Sequence, residues 1–246
     1  MPIDYIYCNK PNSIVLNLIF LSNSQFMDFI KEAQKRVIKT LYDWNAVKVD
    51  LVNKFQLKGG FLSPVFVDAG VLESTINTRG CASSAMLALV HDDFKRRKNR
   101  LDVDAAVGVV SGGISWAASL ANCDAISLLR AHAYPKDHGL KNQIDGELPF
   151  DGAKVVVIDD VITSGKSVLS VVDALRTGKN GKRAEVLGVY TIFDWCFPSV
   201  DTKFEEAGVE KKHLISFKDL LDYGFGHGKL PKVAETPIRE FYEEHC

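Results

Sequence analysis

The stretch Val155-Val156-Val157-Ile158-Asp159-Asp160-Val161-Ile162-Thr163-Ser164-Gly165-Lys166-Ser167-Val168 constrains the chain more than any other. Its four leading β-branched residues are apolar at every position and too few for a helix, which predicts a parallel strand buried on both faces. The strand ends on two adjacent carboxylates. Hydroxyl residues and one glycine then lead into Val168 to Leu175, whose apolar spacing predicts a helix. The loop thus joins a strand's carboxyl end to a helix amino end, the place where open α/β sheets bind ligands.

A glycine-hydroxyl loop entering a helix presents unpaired backbone N–H groups and the positive end of the helix dipole, which suits a phosphate monoester. Two carboxylates just before it can hold vicinal hydroxyls, hold hydrated Mg²⁺, or stabilise nearby positive charge. Together these features predict a sugar that carries a phosphate. Gly165-Lys166-Ser167 matches the tail of the nucleoside-triphosphatase pattern G-x-x-x-x-G-K-[ST], but the leading glycine of that pattern falls on Asp160. That reading is excluded.

At 246 residues the chain is long enough to bury a sizeable core, as one α/β domain with appendages or two small units. Its net charge of −1 gives no global reason to bind nucleic acid or an anionic membrane. Cys8, Cys81, Cys123, Cys196 and Cys246 are scattered without a C-x-x-C pair, which predicts a reducing cytoplasm rather than a disulfide framework or zinc site. Ile14 to Leu21 is apolar but short and broken by Asn17, so it is read as a strand or packed extended segment, not a membrane span or signal peptide.

Elsewhere, Phe26, Phe29, Ile30, Ala33, Val37, Ile38 and Leu41 keep helical spacing over residues 24–44, with Ser24 as a candidate cap. Phe55 through Asp68 predicts a β-hairpin with Lys58 at its bend, by itself a surface lysine. A helix over residues 79–98 ends in a basic run, which suits a solvated helix C-terminus. Residues 105–110 predict a buried strand running into Ser111-Gly112-Gly113 and a helix from Ile114, without the spacing of a dinucleotide fingerprint. Further strands are predicted over 125–129 and 184–193, and a long polar loop over 130–148.

Three of these stretches resemble a known family. The hydrophobic run, Asp159-Asp160, two residues, Thr163, Ser164, Gly165 and the hydroxyl of Ser167 are similar to the signature of the type I phosphoribosyltransferases. Phe55-Gln56-Leu57-Lys58-Gly59-Gly60-Phe61-Leu62-Ser63-Pro64-Val65-Phe66 resembles the Phe-x-Leu-Lys-Ser-Gly-x-x-Ser-Pro-x-Tyr/Phe motif of orotate phosphoribosyltransferases, with Gly59 at the serine position. Pro135-Lys136-Asp137-His138-Gly139 through Ile144-Asp145-Gly146 resembles that family's mobile catalytic loop. The resemblance runs from about Phe55 to Tyr242.

The resemblance implies an α/β fold of the type I phosphoribosyltransferase kind: a Rossmann-like parallel sheet flanked by helices, with a small hood from the terminal segments. Residues 1–54 would form the N-terminal helix and hood, and residues 55–246 the phosphoribosyltransferase domain, with a lid at 130–148. It implies that Asp159 and Asp160 lie by the ribose hydroxyls, that Val161, Ile162, Thr163, Ser164, Gly165, Lys166 and Ser167 hold the 5-phosphate, and that Ser111 and Gly112 approach the diphosphate. Lys58, Phe66 and Thr163 would contact the orotate ring, Lys58 reaching the phosphoribosyl substrate as well. Lys136 would support the leaving diphosphate, with His138 as donor or acid beside it and Asp160 supporting the cationic sugar. Mg²⁺ would bind mainly through substrate oxygens, near Asp159 and Asp160. A homodimer whose lid closes over the partner's site is also implied.

The chain departs from the family at two places. His132, Ala133 and Tyr134 stand where the lid usually begins with cations, His132 being the candidate to meet the phosphoribosyl substrate, and Arg130 lies two positions early. Asp194 and Trp195 stand where many orotate enzymes carry an arginine. These departures leave two alternatives: transfer to another base, or a catalytically weak homologue that binds the phosphoribosyl diphosphate.

Overall fold

A computed structural model describes residues 23–96, 102–135, 142–178 and 180–245. Ile14 to Leu21, the basic run beyond Arg96, Lys136 and His138 lie outside the described residues.

The core is a six-stranded sheet of β5 (Ala105–Val109), β6 (Ser127–Ala131), β7 (Ile144–Asp145), β8 (Ala153–Ile162), β9 (Ala184–Asp194) and β10 (Lys211–Ser216). Its order is β10-β9-β8-β5-β6-β7, and every pairing is parallel except the short antiparallel β6–β7 edge. Val155, Val156, Val157 and Ile158 are fully buried in the middle of this sheet. Each such side chain contributes about 1.5–3 kcal/mol by leaving water. Helices α3 (Ile114–Asp124), α4 (Lys166–Thr177) and α5 (Pro198–Glu206) carry the chain between strands.

The order of the strands decides where a ligand goes. From β5 the chain moves outward to β6. It then returns to β8 on the other side of β5 and moves outward the opposite way to β9 and β10. The connections therefore diverge between β5 and β8, leaving a crevice at their carboxyl ends. The Ser111-Gly112-Gly113 loop and the acidic loop open there side by side.

An amino-terminal layer covers one flank. Helix α1 (Asn23–Asp43) packs on α2 (Ile76–Arg96), β1 (Val47–Val49) pairs antiparallel with β4 (Val65–Val67), and β2 (Phe55–Gln56) pairs antiparallel with β3 (Leu62–Ser63). Ala33, Val37 and Leu41 of α1 share one continuous core with the sheet, and the β1–β4 pairing spans residues 54 and 55. At the other end, α6 (Phe217–Gly226) and α7 (Glu235–His245) follow β10. A reciprocal Ser216–Asp219 capping box starts α6. No helix among the described residues is long and apolar enough to cross a membrane.

Three sequence expectations are corrected. Helix α1 begins at Asn23, so Ser24 sits inside its first turn instead of capping it. Strand β8 does not end at the acids but runs through Asp159 and Asp160 to Ile162, because β9 continues to pair with it as far as Asp194. The hairpin is also shorter than its sequence suggests. Its second strand is divided at Pro64, which has no N–H to give a ladder, and the far half turns to pair with β1.

Candidate active site

The acidic loop leaves β8 and enters α4 through Gly165, whose φ of +70° is a left-handed conformation that a glycine adopts without strain. No side chain caps α4, so its first N–H groups face the space enclosed by Lys58, Asp159 and residues 161–168. Among the described residues this small pocket gathers all the positions predicted to hold a 5-phosphate. Thr163 and Ser164 are buried and Lys166 is exposed at its rim.

The two acids differ in surroundings. Asp159 is 7% exposed, and its Oδ1 accepts the Asp160 backbone N–H at 2.9 Å. Burial, then the charge of Asp160 beside it, hold the Asp159 carboxyl well above the ordinary carboxylate range, and Lys58 pulls only weakly the other way. Asp160 is half-buried, accepts the Val161 N–H at 2.9 Å, and lines a cavity of about 400 Å³ at the crevice. The first acid is thus part of the wall, and the second faces the ligand.

Glycines let the loops meet. A Cβ on Gly112 would overlap the Asp160 carboxylate, and one on Gly113 would overlap the Ile158 carbonyl oxygen. The loop after β5 therefore lies directly on the end of β8. On the hairpin, Gly59 has φ of +92°, and a Cβ there would come within 2.5 Å of the Ser164 Cβ. The residue that replaces the family's serine is the one that lets the Lys58 bend rest on the phosphate loop.

The larger cavity collects Lys58 and Phe66 from the hairpin, Ser111 and Gly112 from the glycine loop, and Asp160, Val161 and Thr163 from the acidic loop. Among the described residues lining it, Lys58 is the only cation. Phe66 lines the cavity at 40% exposure, with its ring centroid 5.7 Å from that of Phe55. His132 is placed elsewhere. It stands at the lid's stem, with Nε2 3.0 Å from Asp145 and Arg130 3.9 Å from the same carboxylate. Lys136 and His138 lie outside the described residues.

Five cavity residues escaped the sequence reading: Asp68, Ala69, Gly70 and Glu73, which follow β4, and Trp116 in the first turn of α3. The pairing of β4 with β1, invisible locally, is what turns the first four toward the crevice. Trp116 is buried, and its Nε1–H has no hydrogen-bond partner among the described residues. Its place three residues after Gly113 was the available signal. Trp195, at the position where many orotate enzymes carry an arginine, lines the cavity, but it is 2% exposed and packs on Phe197 and Phe217, with centroids 5.7 and 4.5 Å away.

An uncapped helix start, an acidic pair and a glycine loop meet at the switch point of a parallel sheet, an arrangement suited to a sugar that carries a phosphate. No family model matches the chain. It is 33% identical over 209 residues to the orotate phosphoribosyltransferase of Phocaeicola vulgatus, covering 85% of this chain and 93% of that one. The chain therefore belongs to the orotate phosphoribosyltransferase family. The crystal structure of orotate phosphoribosyltransferase from Aeropyrum pernix superposes with a TM-score of 0.61 at 26% identity, over 76% of this chain and 98% of the other. Leishmania donovani UMP synthase superposes at 0.65 with 20% identity over 85% of this chain, which spans 42% of that protein.

Proposed function

We propose that the protein transfers the phosphoribosyl group of 5-phosphoribosyl 1-diphosphate to orotate, giving orotidine 5′-phosphate and diphosphate in pyrimidine nucleotide synthesis. The observation that carries this reading is the convergence of the phosphate pocket, Asp160, the glycine loop, Lys58 and Phe66 on one crevice. The α4 N-terminus and the hydroxyls of Thr163, Ser164 and Ser167 hold the 5-phosphate, which fixes the sugar along the crevice. Asp160 accepts from the ribose hydroxyls and supports positive charge as the C1–oxygen bond to diphosphate lengthens. The Ser111–Gly113 backbone, with small residues throughout, admits the diphosphate at close range.

Phe66 stacks on the flat ring and Lys58 supplies a cation to the anionic substrates. Lys136 and His138 in the lid complete the reading, the lysine meeting charge on the departing diphosphate and the histidine donating a hydrogen bond to it. Asp160 offers a hard oxygen donor that fits Mg²⁺, while the buried Asp159, biased toward its neutral form, fits it poorly. The ion, when bound with the diphosphate, would supply charge neutralisation on the leaving group.

We read the protein as a homodimer with lids exchanged, as the resemblance of residues 135–146 to the family's lid implies. The scattered cysteines, with no C-x-x-C pair in the sequence, support a reducing, cytoplasmic setting.

The test is orotate consumption with phosphoribosyl diphosphate and Mg²⁺, followed by absorbance. Turnover that Lys136→Ala abolishes is the expected result. Diphosphate binding without turnover would favour the weak homologue, and consumption of another base in place of orotate would favour the alternative that Trp195 motivates.

A further inference from the structure

A second group of reactive side chains stands at the carboxyl end of β9, built into the turn that leads to α5. Asp194, Cys196 and His213 of β10 bring a carboxylate, a thiol and an imidazole within 4.8 Å of one another. Asp194 is 1% exposed, and its Oδ1 accepts the Cys196 N–H at 2.8 Å. Its Oδ2 lies 3.7 Å from His213 Nδ1 and accepts from Lys211, which also holds Asp201 of α5 at 2.8 Å. The Cys196 Sγ is 3.9 Å from the same His213 Nδ1. Cys196 itself has φ of +55°, which a residue with a side chain seldom adopts. The bond from its N–H to the buried carboxylate holds it in that conformation, with the half-buried thiol between the Asp194 carbonyl oxygen, 3.6 Å away, and the ring.

We propose that Cys196 is a reactive thiol, oriented by His213 and Asp194, that exchanges with low-molecular-weight disulfides. The reacting form is the thiolate beside an imidazolium. Its sulfur attacks one sulfur of the disulfide, forming a Cys196–S–S–R bond as the original S–S bond breaks. The electron pair of that bond leaves with the second thiolate, which takes its proton from His213 or water. The small disulfide is the two-electron oxidant and no other reactant is needed.

Charge favours this chemistry over a metal ion. Burial pushes the His213 imidazolium down, but Asp194 and Cys196 more than offset it, and its pKa is pushed up to about 10. Lys211 already occupies the carboxylate oxygen nearest the ring. A divalent cation would have to displace this lysine and the ring proton together. With Cys196 as the thiol, the charged groups Asp194, Asp201, Lys211 and His213 are balanced two against two without a metal, and the thiolate forms only for the exchange.

The site's location gives it a consequence. Cys196 lies in the chain between Trp195, which lines the cavity, and Phe197, which packs on that ring, so the thiol is one residue from the cavity's aromatic wall. The exchange itself does not depend on which base the cavity accepts.

The test is to incubate the reduced full-length chain with glutathione disulfide and follow the adduct on each cysteine by peptide mass mapping. Cys196 is expected to react at least tenfold faster than Cys81 and Cys123, and His213→Gln to bring it into their range. Equal rates at the three positions in the native protein would overturn the proposal, whatever the variant does. So would an unchanged rate in His213→Gln, or full protection of Cys196 by one equivalent of Zn²⁺, which would make the cluster a metal site.

Discussion

The two halves of the crevice are made differently. The phosphoribosyl half is framed by backbone, the α4 amino end and the glycine loop pressed on β8, with its hydroxyls and acids fixed on that frame by the sheet's longest pairing. The base half is side chains carried by strands of two or three residues outside the main sheet, with Phe66 and Lys58 exposed on them. Backbone sites tolerate no added atom but present the same groups whatever the neighbouring side chains. Side-chain sites can be altered without disturbing the fold, and they set which ring is accepted.

The sharpest break in that contrast is Gly113→Ala. The new methyl would overlap the Ile158 carbonyl and come within 2.7 Å of the Val109 nitrogen, so a loss of about 3 kcal/mol is expected. Urea titration measures it, and a near-neutral result would mean that the loop does not rest on β8. Asp160→Asn keeps the acceptor for the Val161 N–H, so the fold should survive while kcat falls about 10²–10³-fold. Steady-state kinetics beside a melting curve separate the two effects.

Phe66→Ala tests the other half. The orotate KM should rise about tenfold, the equivalent of ~1.4 kcal/mol of lost stacking, with the KM for the phosphoribosyl diphosphate unmoved. A joint change in both constants would deny that the halves are separable.

Asp159→Asn is expected to give the smallest change, and a stabilising one. Because burial and Asp160 raise the carboxyl above its unfolded value, ionisation opposes folding. Stability is greatest below the unfolded value and falls as pH rises through the folded one. The amide removes that cost, so the melting temperature should rise at pH 8 by more than at pH 4. For His213 the slope has the same sign, because its folded value is raised too, but here the charged form is the one that folding favours. Its stabilisation is complete below about 6.5 and declines as pH climbs toward about 10, and His213→Gln should flatten this window in a pH series of melting curves.

Much of the phosphoribosyl half was legible in the sequence because it rests on local rules. An apolar run, two acids and a glycine-hydroxyl turn specify a strand, a loop and a helix start without distant help. The base half was legible only through its motif. That Asp68 and Glu73 reach the cavity depends on β4 leaving β3 at Pro64 to pair with β1, a contact between residues 47–49 and 65–67 that no local pattern announces. Trp195 shows the same limit from the other side. Its position suggested a substitute for an arginine, but only the packing of Phe197 and Phe217 shows its ring to be part of a wall.

The contacts of Gly112 and Gly113 with the end of β8, and of Gly59 with Ser164, leave no slack between the loops that meet at the crevice. The fold is consequently a ruler. The span from the glycine loop to the α4 terminus is fixed by the spacing of two neighbouring strands, so a molecule charged at both ends is gauged by its length before any side chain reads its ring.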